Sequence, residues 1–194
     1  MKKMFALFAA AVAVVLLAGC GGGEPLLFDE CGNEAFHAVK TDDADSPSSA
    51  FAAEYSTDDP DTSGKYRLEI RHKSSGRSVL LGRGGRGASF RWWDTQLGDV
   101  LTVEQQEDTH FSRVFAVHPR LAPDGRFECL VLYAAPPLDR FPGKMPPEHI
   151  YPHIESVSGD GVLTLSLMWD YGPMRGVKKT LEIPLFYGFP AVKR

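Results

Sequence analysis

The longest apolar stretch without a charge runs over residues 4–17, fourteen positions in a chain of 194. A helix needs roughly 20 such residues to cross a bilayer, so that stretch is too short for a span. Cysteine is nearly absent, with three in the chain, and no second cysteine pair exists to build a zinc site. Gly-x-Ser-x-Gly, Ser-x-x-Lys and His-Glu-x-x-His are all missing, which removes the commonest signatures of acyl transfer and zinc-dependent hydrolysis. Catalytic sets assembled from distant positions leave no such mark, so a hydrolase without a motif remains the third of three function classes. Long segments with apolar residues at i, i+3, i+4 and i+7 are lacking too, which argues against a helical domain.

What the chain does contain begins at its N-terminus. Lys2 and Lys3 precede the apolar run, which closes in Leu17-Ala18-Gly19-Cys20. A basic start, a run of this length and small residues at the end are the layout of an export signal. Over residues 1–20 the chain resembles the precursors of bacterial lipoproteins, whose lipobox is an apolar residue, two small residues and cysteine. The resemblance implies cleavage before Cys20, diacylglycerol on its thiol and an acyl chain on the new N-terminus. More than one lipid chain gives stable anchoring, at ~0.8 kcal/mol per buried methylene. Gly21 stands where an aspartate would signal inner-membrane retention, so the resemblance points to the outer membrane, facing the periplasm. The alternative is a Gram-positive cell surface. Export also disfavours nucleic acid as a partner.

Charge is split along the chain. Residues 24–63 carry eleven acids against Lys40, and residues 64–91 carry eight bases against Glu69. The acidic stretch reads as a solvated tether and the bases as wet faces of strands. A sharper reading sets Arg83, Arg86 and Arg91 against an anionic envelope partner, such as lipid headgroups, lipopolysaccharide phosphates or an acidic protein. With Cys20 taken by lipid, Cys31 and Cys129 remain, and an oxidising compartment would join them. Closing a loop of that size is worth up to ~4.7 kcal/mol in the chain-entropy account.

Three segments follow: a signal peptide over 1–19, a lipidated cysteine with a Gly-rich tether and an Asp/Ser/Pro-rich stretch over 20–64, and one β-rich domain over 65–194. Residues 41–64 read as loop or linker because few of them are apolar. From Tyr66 onward apolar and polar residues alternate, as in Tyr66-Arg67-Leu68-Glu69-Ile70, with turn residues between successive runs. Strands are expected over 77–81, 88–93, 100–105, 113–118, 127–134, 154–158, 161–170 and 177–185, with a proline-rich break over 136–152. The fold class is all-β: an antiparallel meander forming a sandwich, a small barrel or a blade-like sheet. Residues 90–127, with Phe90-Arg91-Trp92-Trp93-Asp94 and Pro123-Asp124-Gly125, resemble blades of exported β-propellers, but the chain is too short to close a ring of them.

The remaining constellations carry weak chemistry. Gly82-Arg83-Gly84-Gly85-Arg86-Gly87 matches G-x-G-x-x-G, yet a strand follows where a phosphate-binding helix would start, so it reads as a loop and no cofactor is expected. Asp59, Asp61 and Ser63 form the front half of a calcium loop whose closing carboxylate is missing, since Ile70 occupies that place. His149 and His153 flank Pro152, which breaks the geometry of a shared metal face. Trp92 and Trp93 are neighbours, so one is expected to face the core and the other solvent, where it could stack on a sugar or a protein partner. The leading expectation is a non-catalytic envelope lipoprotein that binds a protein, as an accessory factor or inhibitor. A module binding glycan, lipopolysaccharide or lipid is the alternative.

Overall fold

The computed structural model describes residues 28–29, 36–38, 40–58, 65–84, 87–108, 111–135, 150–169, 175–176 and 178–185. The signal segment, Cys20, Cys31, the calcium-loop residues Asp59, Asp61 and Ser63, and Arg86 lie outside them. Among the described residues no helix is long and apolar enough to cross a membrane. They form an all-β structure of three sheets, and none of the sheets closes into a barrel.

The first sheet has the order β1-β5-β4-β3-β2, from β1 (Phe28–Asp29), β2 (Lys40–Asp45), β3 (Phe51–Thr57), β4 (Tyr66–His72) and β5 (Ser78–Gly84). The second is a meander of β6 (Ala88–Thr95), β7 (Gly98–Asp108), β8 (Phe111–Leu121) and β9 (Phe127–Ala135). The third is β10 (Ile150–Val157), β11 (Val162–Trp169) and β12 (Lys178–Pro184). All pairings are antiparallel except β1 with β5.

Two cores show how the sheets stack. Tyr66, Leu68 and Ile70 of β4 alternate inward and meet Leu101, Val103, Phe115 and Val117 of the second sheet. On the opposite face of that second sheet, Val100, Val114 and Ala116 meet Leu163, Leu165 and Ile183 of the third. Consecutive residues therefore serve different cores: Val100 and Leu101 are both fully buried, one in each. A strand covered on both faces loses the apolar–polar alternation, as in Val100-Leu101-Thr102-Val103 and Val114-Phe115-Ala116-Val117. The molecule is a three-layer sandwich with the 88–135 meander in the middle.

Two expectations change here. Residues 40–57 are not linker: β2 and β3 form a hairpin in the first sheet, with β3 paired along its length to β4. Cross-strand pairing offsets their low apolar content, and Ala52 and Ala53 are buried against their neighbours. The folded region thus begins well before residue 65. Gly82 and Gly84 are also strand rather than loop, because β1 lies alongside at Phe28↔Gly82 and Asp29↔Arg83. Glycine in a strand suits a place where a second backbone comes close. Pro152 sits in β10, an edge strand, where its missing N–H breaks no ladder on the free side.

Gly98, at the turn into β7, has φ of 99°, and a Cβ built on it would lie 3.4 Å from Cε1 of His118. Gly98→Ala is expected to cost about 1–2 kcal/mol, the penalty for an L residue in left-handed backbone, measured as a shift of the denaturation midpoint.

Candidate interaction surface

The charge split of the sequence is partly offset in space among the described residues. Pairing of β2 and β3 with β4 brings the acidic stretch onto the basic one. Glu54 accepts from Arg71, Asp45 pairs with Lys73 at 2.8 Å, and Glu69 pairs with Arg67 at 2.8 Å. The hydrogen bond and charge of Glu54, with Asp43 and Asp45 behind them, raise the Arg71 pKa above its ordinary value. Phe36 lies against the Arg67 guanidinium, 5.8 Å from ring centroid to Cζ. The outer face of the first sheet is thus a mixed-charge surface, not a basic patch. Such exposed pairs contribute little stability, typically about 0.2–1 kcal/mol each.

The arginines singled out above are separated. Arg83 is half-buried on β5, opposite Arg67 of β4 and Asp29 of β1. Arg91 is exposed on β6, in another sheet, with its guanidinium 4.2 Å from the centroid of the Trp93 ring. Neither tryptophan points freely to solvent, and this corrects the expectation of one inward and one outward ring. Because the middle sheet is covered on both faces, Trp92 packs on the first core and Trp93 on the second. The Trp92 indole N–H donates to the Ala44 carbonyl at 2.9 Å, and that of Trp93 donates to Thr102 Oγ1 at 2.8 Å. Cys129 is half-buried on β9 against the first core; its expected bond to Cys31 involves a residue outside those described.

Several polar side chains that no motif pointed to hold the layers together. Asp99, 4% exposed at the start of β7, accepts from the Ser48 backbone N–H at 3.1 Å and from the Ser48 hydroxyl. His118 Nδ1 donates to the Asp99 carbonyl at 2.9 Å, which fixes the ring tautomer. Glu104, on the other face of β7, accepts from the Ile154 N–H at 2.5 Å and lies 3.0 Å from His153 Nδ1. It caps a backbone donor on the free edge of β10. His72 is buried beside Phe51 and Phe127, and its ring nitrogens contact Ser75 Oγ at 2.8 Å and Ser74 Oγ at 3.3 Å. Among the described residues, no three His, Cys, Asp or Glu side chains gather as a metal site. Such residues carry no sequence signal beyond being polar next to apolar runs, as Asp99 is before Val100.

Five hairpin turns lie at one end of the molecule and are laced together. Lys73 N–H donates to the Ala50 carbonyl at 2.9 Å, joining the β4–β5 and β2–β3 turns. Arg77 Nη1 reaches the Gly125 carbonyl of the β8–β9 turn at 2.8 Å. Ser48 bonds Asp99 beside the β6–β7 turn, and Gln96 N–H donates to the Gly159 carbonyl of the β10–β11 turn at 2.8 Å. Leu185 N–H closes the series on Gly161 at 2.9 Å. The turns span all three layers.

One of these turns carries an acid-range test. Hydrogen bonds from the Arg126 N–H and then its guanidinium hold the Asp124 carboxyl below its ordinary pKa. A depressed folded pKa stabilises the fold above the ordinary carboxylate pKa, and that support is lost as pH falls through the lower, folded value. Asp124→Asn is therefore expected to lower stability slightly at neutral pH and leave it unchanged in acid, which flattens part of the acid limb of a stability–pH curve. No protein-family model, curated protein or solved structure matches this chain.

Proposed function

We propose that this chain is a bacterial envelope lipoprotein, anchored through Cys20, whose β-domain binds a protein partner as an accessory factor or inhibitor. The observation that carries the reading is the basic, apolar and small-residue series ending in Leu17-Ala18-Gly19-Cys20. The structure adds a second support. Among the described residues, Asp99, Glu104 and His72, buried or half-buried groups able to do acid–base work, are each bonded into a turn or a contact between layers. A bridge between Cys31 and Cys129 belongs to the same reading and suits the oxidising periplasm.

Crosslinking the full-length protein in its native envelope, followed by purification and mass spectrometry, tests it. The expected result is a lipid-modified Cys20 and one dominant protein partner at near-equal amount. A mature chain without lipid, or one that captures no protein reproducibly, would refute it. A second reading, a module for a glycan or an anionic envelope ligand, is favoured by the exposed Arg91 guanidinium over Trp93. It expects retention on lipopolysaccharide or peptidoglycan that Arg91→Glu abolishes.

A further inference from the structure

The direction of β1 orients the domain relative to its anchor. β5 starts at Ser78, directly after the 73–77 turn, and runs away from the laced turn end. β1 is parallel to it, so the chain enters β1 travelling away from that same end. Seven residues separate Cys20 from Phe28. Eight residue steps reach at most about 29 Å when fully extended. Phe28 lies opposite Gly82, four positions into β5. That is roughly 13 Å from the start of the strand, which leaves at most about 16 Å of reach beyond Ser78, past the level of the turns.

The chemistry of that end suits a lipid surface. Four large apolar side chains are prominently exposed among the described residues, and two of them, Leu97 at 43% and Leu121 at 48%, stand at or beside these turns. Lys73, Arg77 and Arg126 are exposed around them. Asp45 pairs with Lys73, Asp124 pairs with Arg126, and Asp160 bonds Ser158, so the end has no net positive charge and its bases offer local contacts only. Apolar side chains with nearby bases are what an interfacial contact uses. Exposed Arg175 and Lys178, with Met168 at 42% exposure, stand at the opposite end, so the strand direction and the reach of the chain decide between the two.

We propose that the five-turn end rests on the phospholipid headgroups of the anchoring membrane. Leu97 and Leu121 lie at interface level, and Lys73, Arg77 and Arg126 lie among the phosphates. This rests on the lipid-anchor reading of Cys20.

The test uses the full-length, lipidated chain in vesicles of phosphatidylethanolamine and phosphatidylglycerol that carry a photoactivatable headgroup. Lipid adducts are mapped by mass spectrometry. Peptides holding Lys73, Leu97, Leu121 and Arg126 are expected to carry several-fold more adduct than those holding Ser89, Ala134 and Arg175. Leu97→Asp with Leu121→Asp should cut the turn-end adducts several-fold while the protein still floats with the vesicles. Equal or reversed labelling of the two ends on floating protein overturns the proposed orientation, as does an absence of adducts at both. Protein that lacks lipid on Cys20 and does not float overturns the anchor reading itself, and the docking with it.

Discussion

Leu68→Ala and Leu165→Ala, one in each core, are each expected to lower the unfolding free energy by about 2–5 kcal/mol and to shift one shared transition. Both leucines are fully buried. Truncation removes their transfer energy and leaves a cavity that the packed layers refill only in part. A single transition is expected because the middle sheet supplies both cores through adjacent residues, Val100 and Leu101 on β7 and Val114 and Phe115 on β8. Loss of either outer sheet exposes one face of the same four strands. Urea unfolding followed by tryptophan fluorescence is well placed to detect this, since Trp92 and Trp93 report on different cores. Two separable transitions, with Leu165→Ala moving only one of them, would show that the third sheet folds as an independent unit.

Asp99→Ala is expected to cost about 1.5–3 kcal/mol, the range for hydrogen bonds made to a charged group. The carboxylate is nearly buried, and its Ser48 partners bring the β2–β3 turn of the first sheet onto the β6–β7 hairpin of the second. Ser48 itself is exposed and can turn to water, so the cost lies in the lost charged hydrogen bonds that tie the buried Asp99 to that turn. A double-mutant cycle with Ser48→Ala isolates the contact, and the two changes should be non-additive by over about 1 kcal/mol, as for residues in direct contact. Additive losses would mean that Asp99 acts through something other than this latch. Glu104 offers a parallel case between the second and third sheets, with a weaker expectation because its side chain is 23% exposed.

Much of the fold was legible. The alternation in Tyr66-Arg67-Leu68-Glu69-Ile70 marks β4, and the turn residues Lys73-Ser74-Ser75-Gly76 and Pro123-Asp124-Gly125 fall where the chain reverses. Alternation is a local property, imposed by the two-residue repeat of an extended chain, so a window of a few residues suffices to see it. The hairpin over residues 40–57 was not legible in this way. Its strand β2 reads Lys40-Thr41-Asp42-Asp43-Ala44-Asp45, a composition that favours strand only once Glu54, Arg71 and Lys73 lie beside it. The middle layer was not legible either: Val100-Leu101-Thr102-Val103 and Val114-Phe115-Ala116-Val117 lack alternation, but such a run has the same pattern whether its cover is a sheet or a helix.

The interaction surface divides along the same line. The proposed export and anchoring rest on the order of small and apolar residues before Cys20 alone, since a peptidase would read an extended segment of side chains in sequence. The order of residues alone determined the all-β class, most turn positions and the eleven-to-one and eight-to-one charge blocks. Only the tertiary structure decided that members of those blocks pair across the first sheet, since its contacts join residues such as Asp45 and Lys73 that are 28 positions apart. It alone also decided that Trp92 and Trp93 are both covered and that five turns meet at one end. These depend on which faces are stacked and which way strands run, and neither quantity is encoded in any local window of the chain.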